Sequence, residues 1–188
     1  MAEQTRTQRI HELLYSQADN RAYAVLDGAS VPGLVNALRE HQVEHYCLFH
    51  GDLEPDMQEV APYVVALPSG GAFGRWVLQT GWGEHWGVLL TSQAQLRPLR
   101  GHLRNLTTVK GPDGRELYFR FYDPRVLQDY LPTCNGEELE AVFGPVTSFL
   151  VEAEDGSMVM RFRREGGGLR SERITLGDAE ETKRETTC

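Results

Sequence analysis

Short apolar segments alternate with helix-periodic segments through the first half of the chain, and this succession restricts the fold more than any other sequence feature. The apolar segments cover residues 23–26, 46–49, 63–67 and 86–90. Between the first two, apolar residues recur at helical spacing over residues 31–38. Strands joined through helices are typical of βαβ units, whose strands run parallel. The sequence therefore predicts an α/β fold whose N-terminal part is a mostly parallel sheet with flanking helices.

The pattern changes after residue 106, where turn signals of the hairpin type lie at residues 111–114 and 155–156. Period-two alternation over residues 115–122 predicts a strand with Tyr118, Arg120 and Tyr122 on one face. Asp123 and Pro124 are expected to cap and open one short helix, and Asn135 with Glu138 to open another. We therefore expect a smaller C-terminal lobe of short helices and antiparallel hairpins. The predicted division is an N-terminal α/β lobe (1–106), a C-terminal α+β lobe (107–176) and a flexible tail (177–188) that includes Cys188.

The charge balance restricts the classes of partner. The 188 residues include 19 Lys and Arg against 27 Asp and Glu, a formal net charge of −8. Proteins that bind nucleic acid or membrane surfaces are usually basic, so neither is expected as the main partner. No apolar run resembles a signal peptide or a membrane span, and three widely spaced cysteines form no CxxC pair. These features favour a cytoplasmic protein.

Three short motifs could carry chemistry, and each has a simpler explanation. A cluster of His, Cys and acidic residues has metal-ligand types but no known ligand spacing; its members are His41, His45, Cys47, His50, Asp52 and Glu54. Ser30, in GASVPG, lacks the GxSxG of a nucleophile elbow and is expected to cap a helix. The glycines at 70, 71 and 74 lack the spacing of a phosphate-binding loop. We therefore expect no metal, no cofactor and no catalytic residues.

Arginine and tyrosine are concentrated between residues 97 and 125, although the chain as a whole is acidic. These residue types are favoured in protein interfaces. The sequence predicts a partner-binding surface made of Arg97, Arg100, Arg104, Tyr118, Arg120, Tyr122 and Arg125. The alternative is a solvated helix face with internal ion pairs to Asp113, Glu116 or Asp123.

Several segments together resemble one family. They are YAVLDGA (23–29), VAPYVVAL (60–67), WGVLLTS (86–92), HLRNL (102–106), FRFYDPRVL (119–127) and GPV (144–146). In order and spacing they are similar to the effector chaperones, or adaptors, of bacterial type VI secretion, the family known as domain of unknown function 4123. The resemblance covers most of the chain, about residues 23–150.

The resemblance implies a cytoplasmic, non-catalytic protein that binds a cognate secreted toxin effector and assists its loading onto the valine–glycine repeat spike protein. Our hypothesis is that an effector helix docks between the N-terminal α/β lobe and the C-terminal lobe. The alternative for several of the family's recurrent residues is a structural role, in which Asp123 caps its helix and pairs with Arg104. The family's recurrent residues would here be Asp27, Gly28, Pro62, Trp86, Ser92, His102, Arg104, Arg120, Asp123, Pro124 and Arg125.

Two other functions stay open at this stage. The first is a small cytoplasmic α/β enzyme, a hydrolase or a nucleotide-binding protein, with His50, Asp52 and His85 as its first candidate residues. The second is a free-standing scaffold or spike component, which would form a stable homo-oligomer.

Overall fold

The computed structural model describes residues 2–110, 114–153 and 156–177. The helices are α1 (Ala2–Leu14), α2 (Leu34–Glu40), α3 (Pro55–Val60), α4 (Ala72–Thr80), α5 (Leu96–Leu106), α6 (Pro124–Tyr130) and α7 (Gly136–Phe143), with a 3₁₀ turn at Leu131–Thr133. The strands are β1 (Arg21–Asp27), β2 (His45–Cys47), β3 (Pro62–Ala66), β4 (Gly87–Ser92), β5 (Thr108–Lys110), β6 (Glu116–Tyr118), β7 (Val146–Glu152), β8 (Met158–Glu165) and β9 (Gly168–Thr175).

One seven-stranded sheet, in the order β2-β3-β1-β4-β7-β8-β9, runs through the described residues. Every neighbouring pair in it is antiparallel. The predicted mixture of helices and strands is therefore right, but the prediction of a mostly parallel N-terminal sheet is wrong.

The error has a physical cause in how the helical connections cross the sheet. Helix α2 joins β1 to β2, which run in the same direction, but β3 lies between them. Helix α4 joins β3 to β4 in the same way, with β1 between them. The result is two interlocked split β-α-β units. Local periodicity detects the crossover but not the antiparallel strand that is inserted within it.

Helices cover both faces of the sheet, which explains why its central strands are apolar without interruption. In β1, Ala24 and Leu26 pack with α1, α2 and α4, whereas Tyr23 and Val25 pack with α5, α6 and α7. Continuous apolar strands are typical of parallel sheets because those sheets are usually covered on both faces. This antiparallel sheet is covered in the same way, so its strands carry the same composition.

The strands after residue 145 continue the N-terminal sheet, because β7 pairs with β4 with Leu89 opposite Leu150. Strands β5 and β6 form a separate two-stranded hairpin. The division into lobes at residue 106 stays a prediction. The predicted flexible tail, apart from Gly177, lies outside the described residues together with Cys188. Among the helices in the described ranges, none has the length and apolarity required to cross a bilayer.

Two predicted helix starts are confirmed by their hydrogen bonds. Asp123 caps α6 by accepting from the backbone N–H of Arg125, with Pro124 in the first turn. Asn135 and Glu138 form a reciprocal capping box at the start of α7. In both cases the capping signal is local, so the sequence alone is sufficient to place the helix.

Candidate functional site

The carboxylate of Asp27, at the C-terminal end of β1, is buried and joins two distant segments of the chain. It accepts hydrogen bonds from the backbone N–H of Ala29 (3.1 Å) and from the Ser30 hydroxyl (2.9 Å). It also accepts from the guanidinium of Arg120 at 2.5 Å, across 93 positions of sequence. Asp27 therefore fixes the YAVLDGA segment to the FRFYDPRVL segment.

The expected role of Ser30 as a helix cap is wrong. Helix α2 begins later, at Leu34, and its N-cap is Gly33 with φ of 68°. The Ser30 hydroxyl donates to Asp27 instead, within a turn closed by the N–H groups of Ser30 and Val31 donating to the Asp27 carbonyl. Ser30 is thus part of the turn that holds the Asp27 carboxylate.

Gly28 brings this turn against the end of α3. Its N–H donates to the carbonyl of Ala61 at 3.0 Å. A Cβ at this position would lie 2.5 Å from the carbonyl oxygens of both Glu59 and Ala61. The neighbouring residues Met57 and Val60 of α3 are 43% and 44% exposed. Close packing at Gly28 therefore places the end of α3, the helix that carries both exposed side chains, against the Asp27 turn.

Tyr118, Arg120 and Tyr122 lie together, but in a turn rather than along the predicted strand. Strand β6 ends at Tyr118, and the chain then turns, with the N–H of Asp123 donating to the Arg120 carbonyl. The hydroxyls of Tyr118 and Tyr122 are 3.0 Å apart, and the Arg120 guanidinium lies 5.9 Å from the Tyr122 ring centroid. Burial and the hydrogen bond with Tyr122 raise the pKa of Tyr118, so its hydroxyl stays protonated.

Asp123 pairs with Arg125 and not with Arg104 as expected. Nε and Nη2 of Arg125 donate to the two oxygens of Asp123 at 3.0 and 2.8 Å, and Arg120 lies 4.0 Å away. Burial alone would raise the pKa of Asp123, but the hydrogen bonds and charge of Arg125 outweigh burial and lower it.

We expect Asp123→Asn to lower the free energy of unfolding by about 1 kcal/mol at pH 7, because the helix cap survives but the ion pair does not. A carboxylate whose pKa is lowered in the folded state stabilises above its ordinary pKa of about 3.9. That stabilisation is lost as the pH falls through the folded-state pKa. Urea unfolding of both proteins at pH 7 and pH 3 should therefore show the difference shrinking at pH 3. An equal difference at both pH values would contradict this assignment.

The arginines of α5 have different surroundings from one another. Arg104 donates to the carbonyls of Cys47 (3.0 Å), the last residue of β2, and of Phe49 (2.7 Å), two residues further along the chain. Arg100 lies 5.2 Å from the Tyr46 ring centroid and makes a longer bond, 3.4 Å, to the Cys47 carbonyl. Arg97 is exposed. Of these three arginines, Arg100 and Arg104 thus make hydrogen bonds to described residues of the chain, whereas Arg97 makes none.

The histidine and cysteine cluster does not assemble into a metal centre within the described ranges, where no three His, Cys, Asp or Glu side chains are grouped to hold a metal ion. His45 contacts the carbonyl of Val43, and the Cys47 sulfur accepts from the N–H of Phe49. The glycine turn at residues 70–74 leads into α4. The N–H of Gly71, the N-cap residue of α4, donates to the carbonyl of Pro68.

His85 contacts a buried carboxylate that sequence reasoning missed. Nδ1 of His85 lies 2.8 Å from Glu152, which also accepts from the backbone N–H groups of Gly83 and His85. Burial raises the pKa of Glu152, and the two N–H groups act against that rise. His50 and Asp52 are exposed. The only sequence signal for Glu152 is its place at the end of an apolar strand, β7.

The exposed large apolar side chains of the described residues are Met57, Val60, Leu117 and Tyr118. All four belong to α3 or β6: the end of α3 packs on Gly28 of the Asp27 turn, and β6 leads to Arg120, which contacts Asp27. We call Met57, Val60, Tyr118 and Arg120 the docking surface. Met57 and Val60 were missed because a six-residue helix with no buried residue gives no periodic signal.

Comparison with known proteins assigns most of the chain to a family. The family model described as "Domain of unknown function (DUF4123)" matches residues 22–141. Neither the curated proteins nor the solved structures contain a significant match.

Proposed function

We propose that this chain, which belongs to the family described as domain of unknown function 4123 and associated with type VI secretion effector adaptors, is a cytoplasmic, non-catalytic adaptor. It binds one cognate secreted toxin effector and assists its loading onto the valine–glycine repeat spike protein. Family membership supplies the class of function, and the described surface supports a place for the effector.

The single structural observation that carries the proposal is the concentration of exposed apolar side chains at the Asp27 end of the sheet. Exposed apolar side chains that cluster, rather than scatter singly, mark protein-binding sites. Here they belong to α3, whose end packs on Gly28, and to β6, which ends two residues before Arg120, an arginine that is fixed by the buried Asp27 carboxylate. An apolar centre with a polar, arginine-bearing rim is the usual composition of a protein interface.

Tyr118 is the best candidate for an anchor within this surface. Its ring packs edge to face on Phe49, with centroids 5.6 Å apart, while its hydroxyl contacts Tyr122. The side chain is nevertheless 51% exposed. An aromatic side chain already held in one position loses little conformational entropy on binding, which favours it as a hot spot.

Co-purification with the products of the adjacent genes tests the proposal. We expect a stable complex with one of them, and a Kd about 10- to 30-fold weaker for Tyr118→Ala, the range of a moderate hot spot. The matched control is Arg173→Gln, an exposed position on β9 at the far edge of the sheet. Its Kd should equal that of the wild type. Both variants should keep the wild-type melting temperature within a few degrees.

Two results would overturn the proposal. Failure of every adjacent gene product to bind under mild salt would remove the adaptor function. A stable homo-oligomer that ignores those products would favour the scaffold alternative instead.

A further inference from the structure

A pocket of about 350 Å³ surrounds the free edge of β2. Strand β2 is the outermost strand of the sheet, so its outer edge pairs with no other strand in the described residues. The pocket is lined by Arg39 from α2, Tyr46, Phe49 and Asp52 from β2 and its following segment, and Arg100 and Arg104 from α5. We call it the β2-edge pocket. Three arginines from both faces of the sheet thus converge on one cavity.

No described carboxylate lies within ion-pair distance of these three arginines. Other arginines of the chain do find such partners, as Arg120, Arg125, Arg161 and Arg170 show. Asp52 contributes to the wall of the pocket, but it is exposed and forms no ion pair there. Among the residues that line the pocket, three arginines therefore face one carboxylate, that of Asp52, and make no ion pair with it.

The surroundings of Arg104 strengthen this conclusion. Its Nη2 bonds to backbone carbonyls, but its Nε is buried and has no hydrogen-bond partner. Burial and the neighbouring charge of Arg100 both lower the pKa of Arg104. Burial also raises the pKa of the Cys47 thiol, which therefore stays neutral and adds no anion. An incoming anion would relieve the repulsion between the two arginines.

We propose that the β2-edge pocket receives an acidic side chain of the effector when the effector lies on the docking surface. The inference rests on the proposed function and names the chemistry of the partner. Phe49 connects the two regions, because it lines the pocket and packs against Tyr118. Guanidinium groups bind carboxylates through paired, charge-assisted hydrogen bonds. The net charge of −8 disfavours a polyanion such as nucleic acid as the occupant.

The double variant Arg39→Gln/Arg100→Gln tests this inference in the effector complex. It leaves Arg104 in place, because that side chain holds two backbone carbonyls. We expect a Kd about 10- to 50-fold weaker at low salt, and a weaker salt dependence than that of the wild type. Arg173→Gln is again the control. If the double variant binds normally while Tyr118→Ala does not, the pocket inference is overturned and the proposed function stands.

Charge exchange identifies the source of the carboxylate. An Arg100→Glu adaptor should regain affinity for an effector in which one Glu or Asp side chain has been changed to Arg. If only loss of the effector's C-terminal carboxylate weakens binding, the occupant is a chain terminus and the inference is overturned.

A separate measurement needs no effector. Titration with succinate should shift the Nε–H NMR signals of Arg100 and Arg104 but not that of Arg173. Chloride at equal ionic strength should leave all three signals nearly unchanged. Equal shifts with both anions would show nonspecific screening and overturn the inference. Because no effector is used, this result would leave the proposed function unaffected.

Discussion

Arg120→Glu is expected to lower the free energy of unfolding by about 3 kcal/mol, or the melting temperature by about 6–12 °C. The substitution removes the cation that contacts the buried Asp27 carboxylate at 2.5 Å and places a second anion beside it. The new carboxylate would also lie near that of Asp123, which is 4.0 Å from the Arg120 guanidinium in the wild type. Breaking a buried pair from one side costs 3–5 kcal/mol in typical proteins, and we use the lower end because the Arg120 side chain is 46% exposed.

Arg164→Glu provides a matched control for that change. Arg164 contacts Glu140 at 3.5 Å, and both side chains are substantially exposed. The same charge reversal should there cost less than about 1 kcal/mol. Thermal unfolding followed by circular dichroism measures both variants. Equal melting temperatures for the two would mean that the Asp27–Arg120 contact adds no more stability than a surface pair.

This expectation changes how the predicted arginine surface should be tested. A loss of effector binding in Arg120→Glu would follow from instability as well as from loss of a contact. Arg104 and Arg125 carry the same ambiguity, because each bonds within the chain. Arg97 is the position where the interpretation as a partner surface can be tested without that complication. Arg100 carries less of it, because its contacts are one long bond of 3.4 Å to the Cys47 carbonyl and the Tyr46 ring.

The sequence predicted elements whose signals are local. The Asn135–Glu138 capping box and the Asp123 cap depend on residues two or three positions apart, and both are present. Strand direction depends instead on which distant segments become neighbours. The residues of the 46–49 and 63–67 segments do not indicate that β3 lies between β1 and β2 in the sheet.

The candidate site, like the fold, was predictable only where its signals are local in sequence. The family resemblance drawn from short segments is confirmed by the match over residues 22–141. The resemblance names Asp27 and Arg120 among the family's recurrent residues, yet their contact across 93 positions required the fold. The predicted Arg104–Asp123 pair was wrong because charge complementarity does not choose among several arginines. Arg125, two residues from Asp123, takes that position.

Gly28→Ala is expected to lower the free energy of unfolding by about 3 kcal/mol. The added Cβ would lie 2.5 Å from two backbone carbonyl oxygens, those of Glu59 and Ala61, which cannot rotate away as a flexible side chain would. The chain must shift there, and insertion into a packed site costs about 1–3 kcal/mol, occasionally more. We use the upper end because the shift also strains the Gly28–Ala61 hydrogen bond and the Asp27 turn.

Gly101→Ala is the control, and its effect should have the opposite sign. Gly101 lies inside α5, and a Cβ there meets no atom within 4 Å. Alanine stabilises a helix interior by roughly 0.8–1 kcal/mol relative to glycine, so urea unfolding should give a more stable protein. If Gly28→Ala also raised stability, close approach to α3 would not be the reason for glycine at this position. A loss of stability in Gly28→Ala alone would instead show that position 28 requires glycine because α3 packs closely there. That packing holds α3, which carries the exposed Met57 and Val60, against the Asp27 turn.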